Sequence, residues 1–147
     1  NIGGKRSVDS IHKELGHIMW EYVGMARNKA GLEKAIELID GLKKEFDTNL
    51  FVPHLEGVNV ELDKAIRLED FITMGKLIAY DALNREESCG GHFREEHQTE
   101  DGEAKRDDQN CFYVSCWEYQ GEENAPVMYK EELKYEAIEV KTRNYKN

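Results

Sequence analysis

The chain has 147 residues, of which 39% are hydrophobic and 34% charged, and its formal net charge at pH 7 is −10. This composition predicts one globular domain and excludes a disordered chain, while the acidic balance excludes a nucleic-acid-binding protein, because phosphates are bound by clustered Lys and Arg. No apolar run approaches the roughly 20 residues that cross a membrane, and the first stretch lacks the apolar core of a signal peptide. The start at Asn1-Ile-Gly-Gly is interpreted as a cut end.

The first half of the chain carries the periodicity of two helices. Ser7 is a suitable N-cap for the first, whose pattern weakens at Gly24, and Asn28 caps the second, which runs to about Asp47. Apolar residues recur at spacings of three and four in each, which is typical of one buried helical face. The faces are Ile11, Leu15, Ile18, Met19, Tyr22 and Val23, then Leu32, Ala35, Ile36, Ile39, Leu42 and Phe46.

A third helix is predicted from Asn59 to about Asn84, after a loop at residues 48–58 that contains two helix breakers, Pro53 and Gly57. Gly75 and the small residue four positions later would let another helix approach closely. Short connections between helices of this length favour a mainly α fold, an antiparallel three-helix bundle resembling a spectrin repeat, over residues 1–87. We expect Met19 and Trp20 to belong to its core.

The remaining residues, 88–147, are predicted to form a charged junction loop and a β-rich tail packed as one domain with the bundle. The alternating aromatic segment 112–119 predicts a strand, 120–125 a turn, and 126–129 a short second strand. Residues 133–140 fit either a strand or a helix, and we favour the strand. The surface of the aromatic strand, with Trp117 and Tyr119, suits either a partner or the bundle, and the sequence leaves both open.

The stretch Arg85–Asp108 concentrates charge, two glycines and a histidine at the exit of the third helix. Its acidic pairs could suggest acid–base catalysis, but carboxylates on a loop that also carries arginines favour ion pairs, since the arginine fork suits a carboxylate. The pairs are Glu86/Glu87, Glu95/Glu96 and Asp107/Asp108, with Arg85, Arg94 and Arg106 as partners.

Other chemistry for this stretch has weaker support. Cys89, His92 and His97 could be metal ligands, but their spacings match no strong zinc pattern. Cys89 could also be a nucleophile with His92 as its base, but no orienting third group or oxyanion site is apparent. The three cysteines of the chain show no Cys-x-x-Cys spacing, so a reducing, cytoplasmic location is favoured.

Several motifs together resemble the C-terminal region of succinate dehydrogenase and fumarate reductase flavoprotein subunits. In that family an Arg-x-Glu-Ser-Arg-Gly-x-His-x-Arg motif follows a helical bundle and precedes Arg-Asp-Asp. The chain departs from it at Cys89, which replaces an arginine, at Glu95-Glu96, where an Asp is usual, and at 99–105, which resembles an insertion. The matching positions are Arg85 to Ser88, Gly90, His92, Arg94, Arg106 to Asp108, Asp9 to Gly16, Met25 to Asn28, Tyr135 and Arg143 to Tyr145.

The resemblance implies a parent enzyme that interconverts succinate and fumarate through FAD and passes electrons to an iron–sulfur subunit and on to a quinone in a membrane anchor. Such a complex lies at the inner, cytoplasmic face of the cell membrane. The family's flavin-binding, substrate-binding and proton-donating residues lie upstream, so we expect no catalytic, cofactor-binding or metal-binding residue here, and an inactive fragment that docks on the flavin-binding domain. The predicted domain-junction residues are Arg85, Glu87, Ser88, Gly90, His92, Arg94, Arg106 and Asp107. L-aspartate oxidase, whose C-terminal domain is similar, and a free-standing acidic interaction module are the alternatives.

Overall fold

A computed structural model describes residues 2–122 and 124–141, and in these residues the chain forms three long helices. Each begins directly after the N-cap residue that the sequence predicts, whose side-chain oxygen accepts a hydrogen bond from a backbone NH of the first turn. The distances are 3.3 Å at Ser7, 2.8 Å at Asn28 and 3.1 Å at Asn59. The helices are α1 (Val8–Tyr22), α2 (Lys29–Asn49) and α3 (Val60–Asn84).

Ion pairs between the helices give their directions. Lys76 of α3 lies 2.6 Å from Asp40 of α2, and the earlier Glu69 lies 3.5 Å from the later Lys43, so these two helices run in opposite directions. Lys64, near the start of α3, lies 3.3 Å from Asp9 at the start of α1, so α1 and α3 run in the same direction. Helix α2 is therefore antiparallel to its two neighbours, and the predicted mainly α three-helix bundle is confirmed. Among the described residues no helix is long and apolar enough to cross a membrane.

The core lies between the three helices. Gly75 marks a close approach of α1 and α3, because a Cβ atom there would lie only 3.3 Å from Sδ of Met19. The predicted use of a small residue at this position therefore agrees with the packing. The buried apolar side chains of the helices are Val8, Ile11, Leu15, Ile18, Leu32, Ala35, Ile39, Leu42, Phe46, Ala65, Leu68, Ile72, Ala79 and Ala82.

Two short strands join the start of α1 to the end of α2. Strand β1 (Arg6–Ser7) pairs in parallel with β2 (Leu50–Phe51), and Gly4 NH donates to the carbonyl of Leu50 at 2.8 Å. Sequence analysis predicted neither strand, since segments this short carry no periodicity of their own.

A β-hairpin packs against α3. It consists of β3 (Tyr113–Glu118) and β4 (Val127–Glu132), which pair antiparallel, so the second strand is longer than predicted. Trp117 Nε1 donates to Asp81 Oδ1 at 2.7 Å, and its ring meets Tyr80 edge-on at 5.3 Å. The sequence left open whether this strand contacts a partner or the bundle. Trp117 packs against the bundle.

Two expectations are wrong. Residues 133–140 form neither strand nor helix, because β4 ends at Glu132 and the segment after it is mostly exposed, held by an edge-on contact of Tyr135 with Phe112 at 5.7 Å. Trp20 is not in the core: it is 84% exposed, one position beyond Met19, which packs against the core. The expected tail at Arg143 to Tyr145 lies outside the described residues.

Candidate domain junction

The centre of the predicted junction is a tight hairpin that follows α3. Cys89 NH donates to the carbonyl of His92 at 2.8 Å, and His92 NH donates back at 3.0 Å. Gly90 and Gly91 form its exposed tip, and Gly90 has φ +58°, a left-handed conformation that glycine adopts without steric cost. The tip, with exposed Cys89 beside it, therefore projects into solvent at one end of the bundle.

Ser88 closes the base of this hairpin and is fully buried. Its Oγ accepts from the NH of Arg94 at 2.8 Å and donates to the carbonyl of the same residue at 3.2 Å. Its own NH donates to the carbonyl of Lys105 at 2.9 Å. A hydroxyl that both accepts and donates satisfies buried backbone groups that water cannot reach, so Ser88 fixes the direction in which the tip projects.

Arg94 binds the end of α3 from the other arm of the hairpin. The residue is 2% exposed, and Nη1 donates to the carbonyls of Ala82 and Leu83 at 3.0 and 3.1 Å. These carbonyls belong to the last turn of the helix, where no intrahelical donor remains and the helix dipole favours a cation. Arg94 is therefore the cap of α3, and its charge is used within this chain.

Arg27 binds the chain just past the end of α1, a role that the sequence analysis missed. Its Nε donates to the carbonyls of Val23 and Gly24 at 3.2 and 3.0 Å. Its backbone pairs with the hairpin arm, since Arg27 NH donates to Phe93 O at 3.0 Å and Glu95 NH donates to Arg27 O at 2.8 Å. The only sequence signal was its place in the Met25 to Asn28 motif, because pairing with an arm so distant in sequence leaves no local pattern.

Carboxylates of the same arm meet the start of α2. Glu96 Oε1 accepts from the NH of Lys29, the first residue of the helix, and Glu95 Oε2 accepts from the side-chain amide of Asn28 at 2.8 Å. Negative charge is favourable at a helix N-terminus. Burial opposes ionisation of Glu96, but the Lys29 NH and the Arg94 guanidinium outweigh it and lower its pKa. Residues 93–96 thus hold all three helix ends at this end of the bundle.

Arg85 joins the end of α3 to the β-hairpin. Its guanidinium donates to the carbonyls of Cys111 and Tyr113 at 3.1 and 2.9 Å and to Glu87 at 2.9 Å. Glu87 is itself buried, and its second oxygen accepts from the NH of Asp107 at 3.0 Å. The helix exit, the loop and β3 are therefore connected through one buried ion pair.

The predicted ion pairs are present, and in each the arginine binds the carboxylate two positions later. Arg106, the outermost, holds Asp108 through two hydrogen bonds and donates to the carbonyl of Lys141 at 3.1 Å. Asp107 binds Asn110 instead, and hydrogen bonds from that residue lower the pKa of the Asp107 carboxyl. The three pairs are Arg85–Glu87, Arg94–Glu96 and Arg106–Asp108.

His92 has both ring nitrogens occupied. Nδ1 lies 3.1 Å from Nη1 of Arg27, and Nε2 lies 3.0 Å from the carbonyl of Arg85. Because arginine only donates, Nδ1 must accept and Nε2 must carry the proton. Burial lowers the His92 pKa, and the charges of nearby arginines lower it further, while the bond to the Arg85 carbonyl opposes the shift. The imidazole is thus not free to act as a base for Cys89.

The described part of the chain contains no group of three or more His, Cys, Asp or Glu side chains that could hold a metal ion. Comparison with known proteins identifies the family: residues 12–145 match the model of the fumarate reductase flavoprotein C-terminal domain. The chain belongs to this family. It is the C-terminal domain of a flavoprotein of the succinate dehydrogenase and fumarate reductase type, a family of FAD-dependent oxidoreductases.

Relatives of this flavoprotein domain are several times longer. The fumarate reductase (CoM/CoB) of Methanothermobacter marburgensis contains a polypeptide that is 36% identical over 65% of the chain, which spans 17% of that polypeptide. The fumarate reductase flavoprotein subunit of a Serratia strain is 28% identical over 97% of the chain and 23% of its own length. L-aspartate oxidase 2-a of Nicotiana tabacum is 36% identical over 60% of the chain and 14% of its own length.

The fold of the flavoprotein C-terminal domain also occurs in a solved structure. E. coli quinol fumarate reductase FrdA superposes with a TM-score of 0.80 over 95% of this chain and 23% of its own, at 23% identity. The fold therefore extends beyond the bundle to the loop and the hairpin.

The structure brings most of the predicted junction residues of this flavoprotein domain into two neighbouring hydrogen-bonded groups. Gly90 lies apart, at the exposed tip, and Arg106 lies at the outer edge of the loop. The first group contains Arg85, Glu87, His92 and Asp107, with Arg27 bound to His92. The second contains Ser88 and Arg94, with Glu96 bound to Arg94. Neither Arg27 nor Glu96 was predicted as a junction residue.

Proposed function

We propose that this chain is the C-terminal helical domain of the flavoprotein subunit of a succinate dehydrogenase or fumarate reductase. The observation that carries the proposal is the family match along residues 12–145. The complete subunit would interconvert succinate and fumarate through FAD and pass electrons to an iron–sulfur subunit and a quinone-binding membrane anchor. It would lie at the cytoplasmic face of the membrane.

We propose a structural role for the chain itself, with no catalytic or cofactor-binding residue and no turnover in isolation. Its charged loop forms one unit with the bundle, because Arg94 of the loop caps α3, the loop backbone pairs with Arg27 just past the end of α1, and Arg85 binds β3. The exposed tip of the loop, Cys89 to Gly91, is the part that we propose contacts the flavin-binding domain. The buried anchors Ser88 and Arg94 hold that tip in a fixed direction, as a docking element requires.

An antibody raised against this chain tests the assignment. The protein that it recognises in the source cells should be several times longer than 147 residues and associated with the membrane. It should fluoresce as a flavoprotein and oxidise succinate or reduce fumarate. A band of the chain's own size without flavin would contradict the proposal and favour a free-standing interaction module.

Substitution at the loop tip tests the docking role. Gly91 has open space around it and an unstrained backbone, so Gly91→Leu should leave this chain folded. In the complete flavoprotein, we expect the added side chain to obstruct docking, lower the melting temperature and reduce flavin content. The control is Gly41→Leu, on the polar face of α2, where a Cβ also has no neighbour within 4 Å. Equal behaviour of the two variants would contradict a docked tip.

L-aspartate oxidase is the second candidate, because the tobacco enzyme is as identical to this chain as the methanogen reductase polypeptide. Its match covers 60% of the chain, whereas the Serratia protein covers 97%, which supports the respiratory branch. Turnover of the complete protein with succinate and with L-aspartate, measured side by side, separates the two.

A further inference from the structure

Helix α3 carries apolar side chains on more sides than the other elements of this chain cover. One side faces the core through Leu68 and Ile72, and a second meets the β-hairpin through Tyr80, whose ring contacts Trp117. A third side still carries large apolar groups that are about half exposed: Phe71, Met74 and Ile78. Large apolar side chains that share one side of a helix and stay half exposed mark a candidate interaction surface.

Helix α1 extends this third side. His12, Gly16 and Trp20 follow at spacings of four and so lie in one row on the helix surface. The row lies next to α3, because His12 stacks on Phe71 with ring centroids 5.5 Å apart. Trp20, at its other end, is 84% exposed. We call the surface formed by this row and the third side of α3 the α1–α3 face.

Gly16 leaves a gap in the middle of the α1–α3 face. A Cβ atom at this position would have no neighbour within 4 Å, so packing within the chain does not require glycine there. Glycine in a helix interior costs about 0.5–1 kcal/mol relative to alanine. A residue that weakens its own helix and leaves open space beside an exposed tryptophan suits the close approach of another surface.

The residues that define the α1–α3 face include no carboxylate, lysine or arginine. Charged pairs lie towards its edge: Lys64 pairs with Asp9 at 3.3 Å, and Arg67 pairs with Asp63, all near the N-terminal ends of α1 and α3. An apolar centre with a polar rim is the composition of a stable interface. This composition favours a permanent partner over a transient one, since obligate interfaces are the more apolar class.

We propose that the flavin-binding part of the same polypeptide covers the α1–α3 face, with a side chain of that part seated over Gly16. This rests on the function proposed above. The matched relatives are much longer than this chain, which spans 23% of the Serratia protein. The remainder of such a polypeptide is covalently attached, so its effective concentration at this face exceeds that of any separate chain.

The test uses the complete flavoprotein, purified without its iron–sulfur partner. Gly16→Leu should lower its melting temperature by roughly 2–4 °C, because the new side chain occupies the space of the covering residue. Gly41→Leu, an exchange on the polar face of α2, should leave the melting temperature unchanged or slightly higher, since leucine favours helices. Equal melting temperatures for the two variants would overturn the proposal.

Hydroxyl-radical footprinting of the unaltered flavoprotein gives a second measurement that needs no variant. In this chain Trp20 is far more exposed than Trp117, which is partly buried. If the face is covered, Trp20 should be oxidised no faster than Trp117. Faster oxidation of Trp20 would overturn the proposal, whatever the variants show.

Other occupants give distinct results. Protection of Trp20 that arises only on dimerisation would assign the face to a second copy and overturn the proposal. Protection that arises only when the iron–sulfur partner is added would assign the face to that partner and would also overturn the proposal. Failure of the function itself is separate: it would show as an unaltered protein without flavin or without succinate and fumarate turnover.

Discussion

Arg94 carries a buried charge whose partners all lie within the chain. Arg94→Ala would leave the carbonyls of Ala82 and Leu83 without their donor and Glu96 without its cation. Since a buried polar group without a partner costs about 1–3 kcal/mol, we expect the substitution to reduce the free energy of unfolding by about 2–3 kcal/mol. Urea denaturation of the chain, followed by circular dichroism, measures this loss.

Arg94→Lys is the matched control for that experiment. Lysine keeps the charge but lacks the planar fork that binds two carbonyls and a carboxylate at once, so it should recover part of the stability. If Arg94→Ala leaves the unfolding midpoint unchanged, the capping role of Arg94 is wrong.

His92 should make the stability of the chain depend on pH. Its pKa is lowered in the folded state, chiefly by burial, from a reference value of 6.5. The unfolded chain therefore takes up this proton first as pH falls, and the folded state loses stability relative to it below about pH 6.5. Protonation would also place an NH of the ring against Arg27, which offers only donors.

We expect His92→Gln to lose less stability between about pH 7.5 and about pH 5.5 than the unaltered chain does, since this range spans the titration of an unfolded histidine. His17, on the exposed side of α1, supplies the control, because His17→Gln should follow the unaltered chain. Unfolding free energies at the two pH values measure the effect. The same pH dependence in all three proteins would rule out His92 as its source.

At the scale of helices and strands, local signals predicted the fold well. Ser7, Asn28 and Asn59 are recognisable caps because a cap needs only its own first turn. The contacts of Arg27 and Arg94 at the other helix ends were missed, because each arginine lies outside the helix near whose end it binds. The sequence predicted that the loop arginines pair with loop carboxylates. It did not predict that each arginine pairs with the carboxylate two positions later, because that choice depends on how the loop folds.

The two wrong expectations have a common cause. Alternating apolar residues at 133–140 suit a strand, yet a strand needs a partner, and the pairing of β3 with β4 ends at Glu132. Trp20 follows the apolar pattern of α1 by one position, and a rotation of about 100° per residue moves it from the core to the solvent. Periodicity tells which residues are apolar, but neighbouring elements decide which of them are covered.

The β-hairpin depends on a side-chain hydrogen bond to α3, from Trp117 to Asp81. Trp117→Phe keeps the ring contact with Tyr80 but removes the donor, and we expect it to lower the free energy of unfolding by about 1 kcal/mol. Tyr119→Phe, at an exposed site next to the same hairpin strand, should have almost no effect. Denaturant titration of both variants measures the difference, and equal midpoints would contradict the role of this bond.

At the scale of the whole molecule, the bundle and the loop should fold as one unit. A chain that ends at Glu87 lacks the residues that hold all three helix ends, so we expect a much lower melting temperature. A chain that ends at Glu132 keeps them and removes a mostly exposed segment, so its melting temperature should fall only slightly. Calorimetry of the two truncated chains and the complete chain measures these melting temperatures. Equal melting temperatures for residues 1–87 and for the complete chain would contradict the expectation.

The segment 93–96, which holds the three helix ends, also bears on the order in which the chain folds. During synthesis, α1, α2 and α3 leave the ribosome before it, so their ends at that side stay open until the segment emerges. The contacts then formed join residues 67 positions apart, from Asn28 to Glu95 and from Lys29 to Glu96. Closing so long a loop costs entropy before any bond repays it. We therefore expect the nascent chain to pass through a stage in which the three helices have formed but segment 93–96 does not yet hold their ends together. A folding chaperone would be most useful at that stage.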